Sequence, residues 1–355
     1  MNLSKYGRVI VMASETFQIP RISAPSDHNF RANHLRKGVP VVITDVADKW
    51  PAAEWTLDEL TRKAGHNKAF IRQQTDKESY KVGKSYSIRE SPLKEYIDDI
   101  RADNSRARSS YLAVQNIRST FPELEADINV PGYVEKLHGG PYLWIAMKGH
   151  YEFCHFDPDD GLLVILSGSK RVKLYGCDIQ PLYPNPLGSR GRTIQAQVNC
   201  DAPDLETFPK FKGAQCHECV LNAGEMLFIP AFWWHQVTAL EMTISINFFY
   251  GDAGDNTYLT KIMEPMRWQA YSHWFLNIVE QNRPFESFQR VLENLPDSLR
   301  SFFLKTWHEK PSQDQLDRLV KLVLDHLQLD SLPVGPARTS KHPPVMKIRG
   351  LLWRK

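Results

Sequence analysis

Cysteine is scarce in this 355-residue chain. The five present (Cys154, Cys177, Cys200, Cys216 and Cys219) are too few and too clustered for a disulfide framework, which points to a reducing compartment. Long apolar runs are missing as well. None approaches the roughly 18 residues of a membrane-spanning helix. The apolar run at residues 9–12 is far shorter than the roughly 7–15 residues of a secretory core. An intracellular protein, cytoplasmic or nuclear and off the membrane, is expected. Charge of one sign is also in short supply, with 44 Lys+Arg against 41 Asp+Glu. So balanced a chain is not built as a general polyanion binder. The small excess is uneven. Residues 331–355 hold six basic residues, four prolines and no acid, so the rest carries 38 basic against 41 acidic residues. No internal repeat is present. A composition of 42% hydrophobic, 24% charged and 11% aromatic residues excludes a disordered, collagenous or coiled-coil chain.

What is there falls into zones. Residues 1–20 read as a flexible arm, 21–252 as the main folded unit, 253–330 as a helical region and 331–355 as a basic tail. A β-rich run at 39–43 precedes a helix from Thr56, a helix is expected over 92–104 and a strand over 110–116. From Tyr142 to Gly251 the character changes. YLWIAM, YEFCHF, LLVILSG, RVKLYG, HECVL, EMLFIPA and TISINFFYG recur between turn signals, the pattern of an antiparallel sandwich or barrel. This places a barrel core at about 142–251. Beyond it, Phe285, Phe288, Val291, Leu292 and Leu295 follow helical spacing, as do Leu316, Leu319, Val320, Val323 and Leu327. Ser312 with Gln315 forms a capping box for the last helix. The fold class expected is mainly β with α flanks.

The triplet His155-Phe156-Asp157 carries the chemistry. Residues two apart on a strand share a face, so an imidazole and a carboxylate can converge on one point. His235, in LFIPAFWWHQV, supplies a third candidate 80 residues later. Two histidines and one carboxylate on one side of a metal make the facial triad of non-haem Fe(II) oxygenases. Cys216 and Cys219 have the spacing of a zinc half-site, but no second CxxC exists to complete four ligands. Cys154 should face away from His155, into the core. Trp233 and Trp234 read as packing at the barrel mouth.

From about Val39 to Tyr250 the chain resembles the jumonji-C (cupin-like) family of Fe(II)/2-oxoglutarate dioxygenases. The branch it is most similar to contains the asparaginyl hydroxylase that inhibits hypoxia-inducible factor and the wybutosine-pathway tRNA hydroxylase. The resemblance rests on VPVVITDVADKWPAAEWT, YLAVQ, LWIAMKGHYEFCHFD, LSGSKRVKLY, PLYPNP, CDAPDLETFPKF, LNAGEMLFIPAFWWHQV and ISINFFY, in that order. It implies a double-stranded β-helix (a jelly roll) with a helical C-terminal extension, and makes 21–252 the catalytic domain. It also implies the cofactors Fe(II), 2-oxoglutarate and O2. His155, Asp157 and His235 match the family's iron ligands. Lys170 matches the lysine that pairs with the distal carboxylate of 2-oxoglutarate, and Tyr111 a tyrosine that reaches the same group. Asn247 matches an asparagine near the metal, and Trp144, Leu163, Val237 and Phe249 match positions that wall the pocket.

Two departures stand out. Glu152 replaces a threonine that donates to the co-substrate in the asparaginyl hydroxylase, and Gly161, after Asp159 and Asp160, replaces an asparagine. The resemblance further implies a macromolecular substrate, a protein side chain before tRNA. Arg101, Arg106, Arg108, Lys341, Lys347, Arg349, Arg354 and Lys355 are the candidates for RNA contact. A catalytically silent binding module is the alternative of another class. The helices of 253–330 would make a homodimer, as in the relatives.

Overall fold

A computed structural model describes residues 16–74, 86–134, 137, 140–186, 189 and 193–250, with 266, 267, 269–271, 273, 274 and 277. Within them, fifteen strands form two sheets. The smaller sheet runs β1 (Thr16–Gln18), β12 (Cys216–Asn222), β10 (Ser169–Tyr175), β14 (Trp234–Ala239), β8 (Tyr151–Phe156), β11 (Ile194–Gln195). The larger runs β2 (Arg21–Ser23), β3 (Val41–Thr44), β13 (Met226–Ile229), β9 (Asp160–Ser167), β15 (Thr243–Tyr250), β7 (Tyr142–Ala146), β6 (Ser110–Asn116), β4 (Lys68–Gln74), β5 (Tyr86–Pro92). Pairing is antiparallel except where the short strands β1 and β2 join β12 and β3. Consecutive strands β8, β9 and β10 alternate between sheets, as do β12 to β15, which is the double-stranded β-helix expected.

Strand alternation sorts the side chains. On β9, Leu162, Val164 and Leu166 join the outer core, while Leu163 and Ile165 join the cluster inside the barrel. On β13, Met226 and Phe228 face out and Leu227 and Ile229 face in. Strands buried on both faces read as continuous apolar runs, which is why LLVIL and MLFI stand out in the sequence. On β15 the same alternation sends Ile244, Ile246 and Phe248 into the outer core. The intervening Asn247 and Phe249 line an internal cavity.

The outer core is closed by two helices. α1 (Leu57–Ala64) starts at Thr56, whose side chain accepts from the Glu59 amide. α2 (Leu93–Arg101) buries Leu93, Tyr96, Ile97 and Ile100 against the larger sheet. It stops short of residue 104 because Asp103 turns into the left-handed region at φ 46°.

Gly168 makes the tight turn from β9 to β10 with φ 74°, and a Cβ there would collide with the Met242 carbonyl. Gly168→Ala should therefore destabilise the protein by about 1–3 kcal/mol from backbone strain alone. Equal urea midpoints for variant and parent would contradict this.

Residues 253–330, expected to be helical and to dimerise, and the basic tail lie outside the described residues, apart from a few positions near 270. There Ala270, Tyr271 and Trp274 are buried. Most of the N-terminal arm also lies outside them.

Candidate metal centre

His155 and His235 meet because β8 and β14 are antiparallel neighbours with those two residues in register. Their ring centroids are 4.2 Å apart. Asp157 lies just past the end of β8, and its Oδ2 is 3.9 Å from His155 Nε2 and 3.6 Å from His235 Nε2. One donor atom from each residue falls within 4.8 Å of the others. No other such group of three occurs among the described residues. Cys216 and Cys219 belong to none, and both are buried in free form on β12.

The histidines are oriented from behind. Nδ1 of His155 lies 2.8 Å from the Phe153 carbonyl, and Nδ1 of His235 lies 3.0 Å from the Trp233 carbonyl. A carbonyl oxygen only accepts, so each Nδ1 carries the proton and each Nε2 presents its lone pair. Metal-binding histidines are held in this way. Burial, then the neighbouring His155, pushes the His235 pKa down to about 3, which keeps it a neutral donor.

The Asp157 loop is fastened by backbone contacts. Phe232 N–H donates to the Asp157 carbonyl at 2.8 Å. Ala231 N–H donates to Asp160 Oδ1 at 2.9 Å, which gives the fully buried Asp160 a structural task. Trp234, with no exposure, packs edge-on against Phe156 at 4.7 Å and fixes the strand that carries His235.

The three donors open into a pocket that reaches solvent. Trp144, Leu163, Val237, Asn247 and Phe249 all line it. So does Lys170, only 6% exposed, whose ammonium donates to Ser245 Oγ at 2.7 Å. Among the described residues no carboxylate lies within 4 Å of it. Burial, opposed by the charge of Glu152, lowers its pKa to about 8. Two further polar groups on the wall lack partners. The Asn247 amide has no hydrogen bond among the described residues, and the buried Trp144 Nε1 has none. A Cβ on Gly161 would stand 3.9 Å from Asn247 Oδ1, at ordinary van der Waals contact, so a small side chain would fit there.

His150 and Glu152 also face this cavity and were not assigned a role by sequence reasoning. Between His235 and Val237 the β8–β14 register shifts, with three residues of β8 spanned by two of β14. That bulge lets Glu152 and His155, three apart, share one face. Tyr111 was matched to the co-substrate carboxylate. In the structure its hydroxyl donates to Glu152 Oε2 at 2.7 Å and receives Arg72 Nη1 at 3.0 Å. Arg72 had no signal in the sequence, being one polar residue in an unremarkable edge-side strand.

Residues 27–256 match the model of the cupin-like domain family, well over half of the chain. The chain belongs to the cupin-like, jumonji-C family. Its relatives in that family include a lysine-specific demethylase 8 from Xenopus tropicalis, 31% identical over 252 residues, which cover 68% of this chain and 54% of that protein. A tRNA wybutosine-synthesizing protein 5 from Mus musculus is 26% identical over 314 residues, covering 83% of this chain and 95% of that protein. The match thus spans little more than half the length of that demethylase and nearly all of the wybutosine protein. No helix among the described residues of this cupin-like chain is long and apolar enough to cross a membrane.

Arg101, Arg106 and Arg108, named as RNA-contact candidates, are each tied to acids of their own chain. Arg101 pairs with Asp58 and Asp98, Arg106 with Asp99, and Arg108 with Asp103. The basic candidates of the tail lie outside the described residues.

Proposed function

We propose that this chain is an Fe(II)- and 2-oxoglutarate-dependent oxygenase that hydroxylates a C–H bond of a macromolecule, a protein side chain before RNA. The observation that carries the reading is a pair of sites in one cavity. A preoriented His-Asp-His donor set sits beside a buried ammonium that no carboxylate among the described residues approaches within 4 Å. Buried charges need partners, and a dicarboxylate that also chelates a metal would partner both.

His155 and His235 would hold ferrous iron through Nε2, and Asp157 through a carboxylate oxygen that offsets part of the metal's charge. Lys170 would receive the distal carboxylate of 2-oxoglutarate, with Tyr111 beside it, and Asn247 would orient the co-substrate near the metal. Trp144, Leu163, Val237 and Phe249 would keep water from the reacting end. Bound iron with 2-oxoglutarate would supply the oxidative chemistry that turns substrate C–H, O2 and co-substrate into the C–OH product, succinate and CO2. The protein supplies orientation and a dry pocket.

The internal pairing of Arg101, Arg106 and Arg108 favours a protein substrate. The RNA reading is kept by one observation, the near end-to-end match to the mouse wybutosine protein. A homodimer through residues 253–330 remains part of the proposal, and light scattering at micromolar concentration should return twice the monomer mass.

Peptide and RNA pools incubated with the enzyme, iron and 2-oxoglutarate should yield succinate together with products heavier by one oxygen atom. The oxygenated product should be found in the peptide pool. Its appearance only in RNA would move the substrate class to the second reading. Bound iron and co-substrate without succinate would make the chain a silent binding module.

A further inference from the structure

The cavity contains an anion where a dicarboxylate site would be expected to have none. Glu152 is 7% exposed and lines the same space as Lys170. Left to itself, a buried carboxylate facing a buried ammonium would close onto it and fill the co-substrate's place. The structure shows a different arrangement. Glu152 Oε2 accepts from the Tyr111 hydroxyl at 2.7 Å and lies 3.7 Å from His150 Nε2. Its Oε1 is 3.9 Å from Arg72 Nη1. Arg72 is itself held by its hydrogen bond to Tyr111 and by the rings of Tyr86 and Tyr111, 5.2 and 5.7 Å from the guanidinium carbon. Burial would raise the Glu152 pKa, but the neighbouring His150 imidazole and the charge of Arg72 outweigh it and hold the group at about 2, ionised. Lys170 meanwhile points its ammonium at Ser245.

We propose that Arg72 is a positioning residue for the co-substrate: it draws Glu152 to the Arg72–Tyr111 side and so leaves Lys170 for an incoming carboxylate. Charge accounting supports this. Lys170 and Glu152 alone sum to zero and offer a dicarboxylate nothing. With Arg72 the cluster keeps one net positive charge, because burial keeps His150 toward its neutral form. The inference rests on the reading of Lys170 as the co-substrate anchor, so the test separates the two.

The measurement is calorimetric titration of 2-oxoglutarate into the iron-loaded protein under anaerobic conditions, which needs no turnover. Arg72→Leu should weaken binding roughly tenfold to a hundredfold, because the ligand must then displace Glu152 from Lys170. Glu152→Gln should bind as tightly as the parent or better. In the Glu152→Gln background, Arg72→Leu should change binding by less than about threefold, since there is no anion left to restrain. Unchanged binding in Arg72→Leu would overturn the proposal. So would a double variant as weak as the single one, which would mean that Arg72 merely supports the fold. Arg72→Gln takes the place of the leucine variant if that one does not fold. Lys170→Met is measured alongside. Loss of binding there, with none in Arg72→Leu, sinks only the role of Arg72. No loss in Lys170→Met sinks the anchor reading itself.

Discussion

Asp157→Ala should abolish iron-dependent succinate formation, a loss on the order of a thousandfold or more, while leaving the metal-free fold intact. Asp157 is the only anion in the donor set, so its loss leaves two neutral imidazoles facing a dication. The fold should be largely kept, because a backbone contact of Asp157 helps to fasten its loop. The Phe232 amide donates to the Asp157 carbonyl, which alanine retains. Asp160 adds a side-chain fastening, taking the Ala231 amide. Metal analysis of Asp157→Ala should show iron lost, with a melting temperature of the metal-free form close to the parent's. Asp160→Ala should do the reverse. It strands a buried N–H and costs about 1–3 kcal/mol of stability, with iron affinity reduced only through the displaced loop. If Asp157→Ala kept stoichiometric iron and turnover, the proposed metal centre would be wrong.

That contrast shows what was legible in the residues and what was not. The barrel strands could be read because each lies between turn signals, and 110–116 coincides with β6. His155 and Asp157 could be read because their relation is local, two residues on one strand. His235 depended on a register across 80 residues of chain, which periodicity alone does not give. The family resemblance supplied it, and the pairing of β8 with β14 explains it. Strands β4 and β5 went unread because KAFIRQQ and YSIRESP are largely polar and carry no clean alternation. Arg72 went unread with them. The Glu152 departure puts an anion where the resemblance places a co-substrate dicarboxylate, and the sequence does not show which residue offsets it. Only the sheet extension that sets Arg72 opposite Tyr111 supplies the counter-charge. Likewise Asp159-Asp160 read as a plain acidic pair, whereas Asp160 is a buried acceptor for a distant turn.

Lys170→Met should remove 2-oxoglutarate binding and at the same time make the ligand-free protein more stable. The ammonium is buried and its pKa is lowered to about 8, against 10.5 for an unperturbed lysine. A folded pKa below the unfolded one means that folding is penalised wherever the unfolded chain holds the proton and the folded chain resists it. The penalty is full below pH 8 and fades as pH rises towards the unfolded value. It amounts to roughly 3 kcal/mol at neutral pH. Methionine has similar length and no charge, so it removes that penalty. It also gives up the hydrogen bond to Ser245, worth about 1 kcal/mol. The net is a gain of about 1–2 kcal/mol, seen as a melting temperature a few degrees higher near pH 7 and as a smaller difference near pH 10. The same pKa sets the pH dependence of the parent. Lys170 must be protonated to hold a carboxylate, so co-substrate affinity should fall as pH rises through about 8. Calorimetry at pH 7 and pH 9 would show it, and Lys170→Met would have no binding at either. Equal affinity at both pH values, or a methionine variant no more stable than the parent, would mean that the ammonium is not the strained anchor described. Stability given up at one buried charge, and recovered when the ligand arrives, is what a preorganised anion site requires.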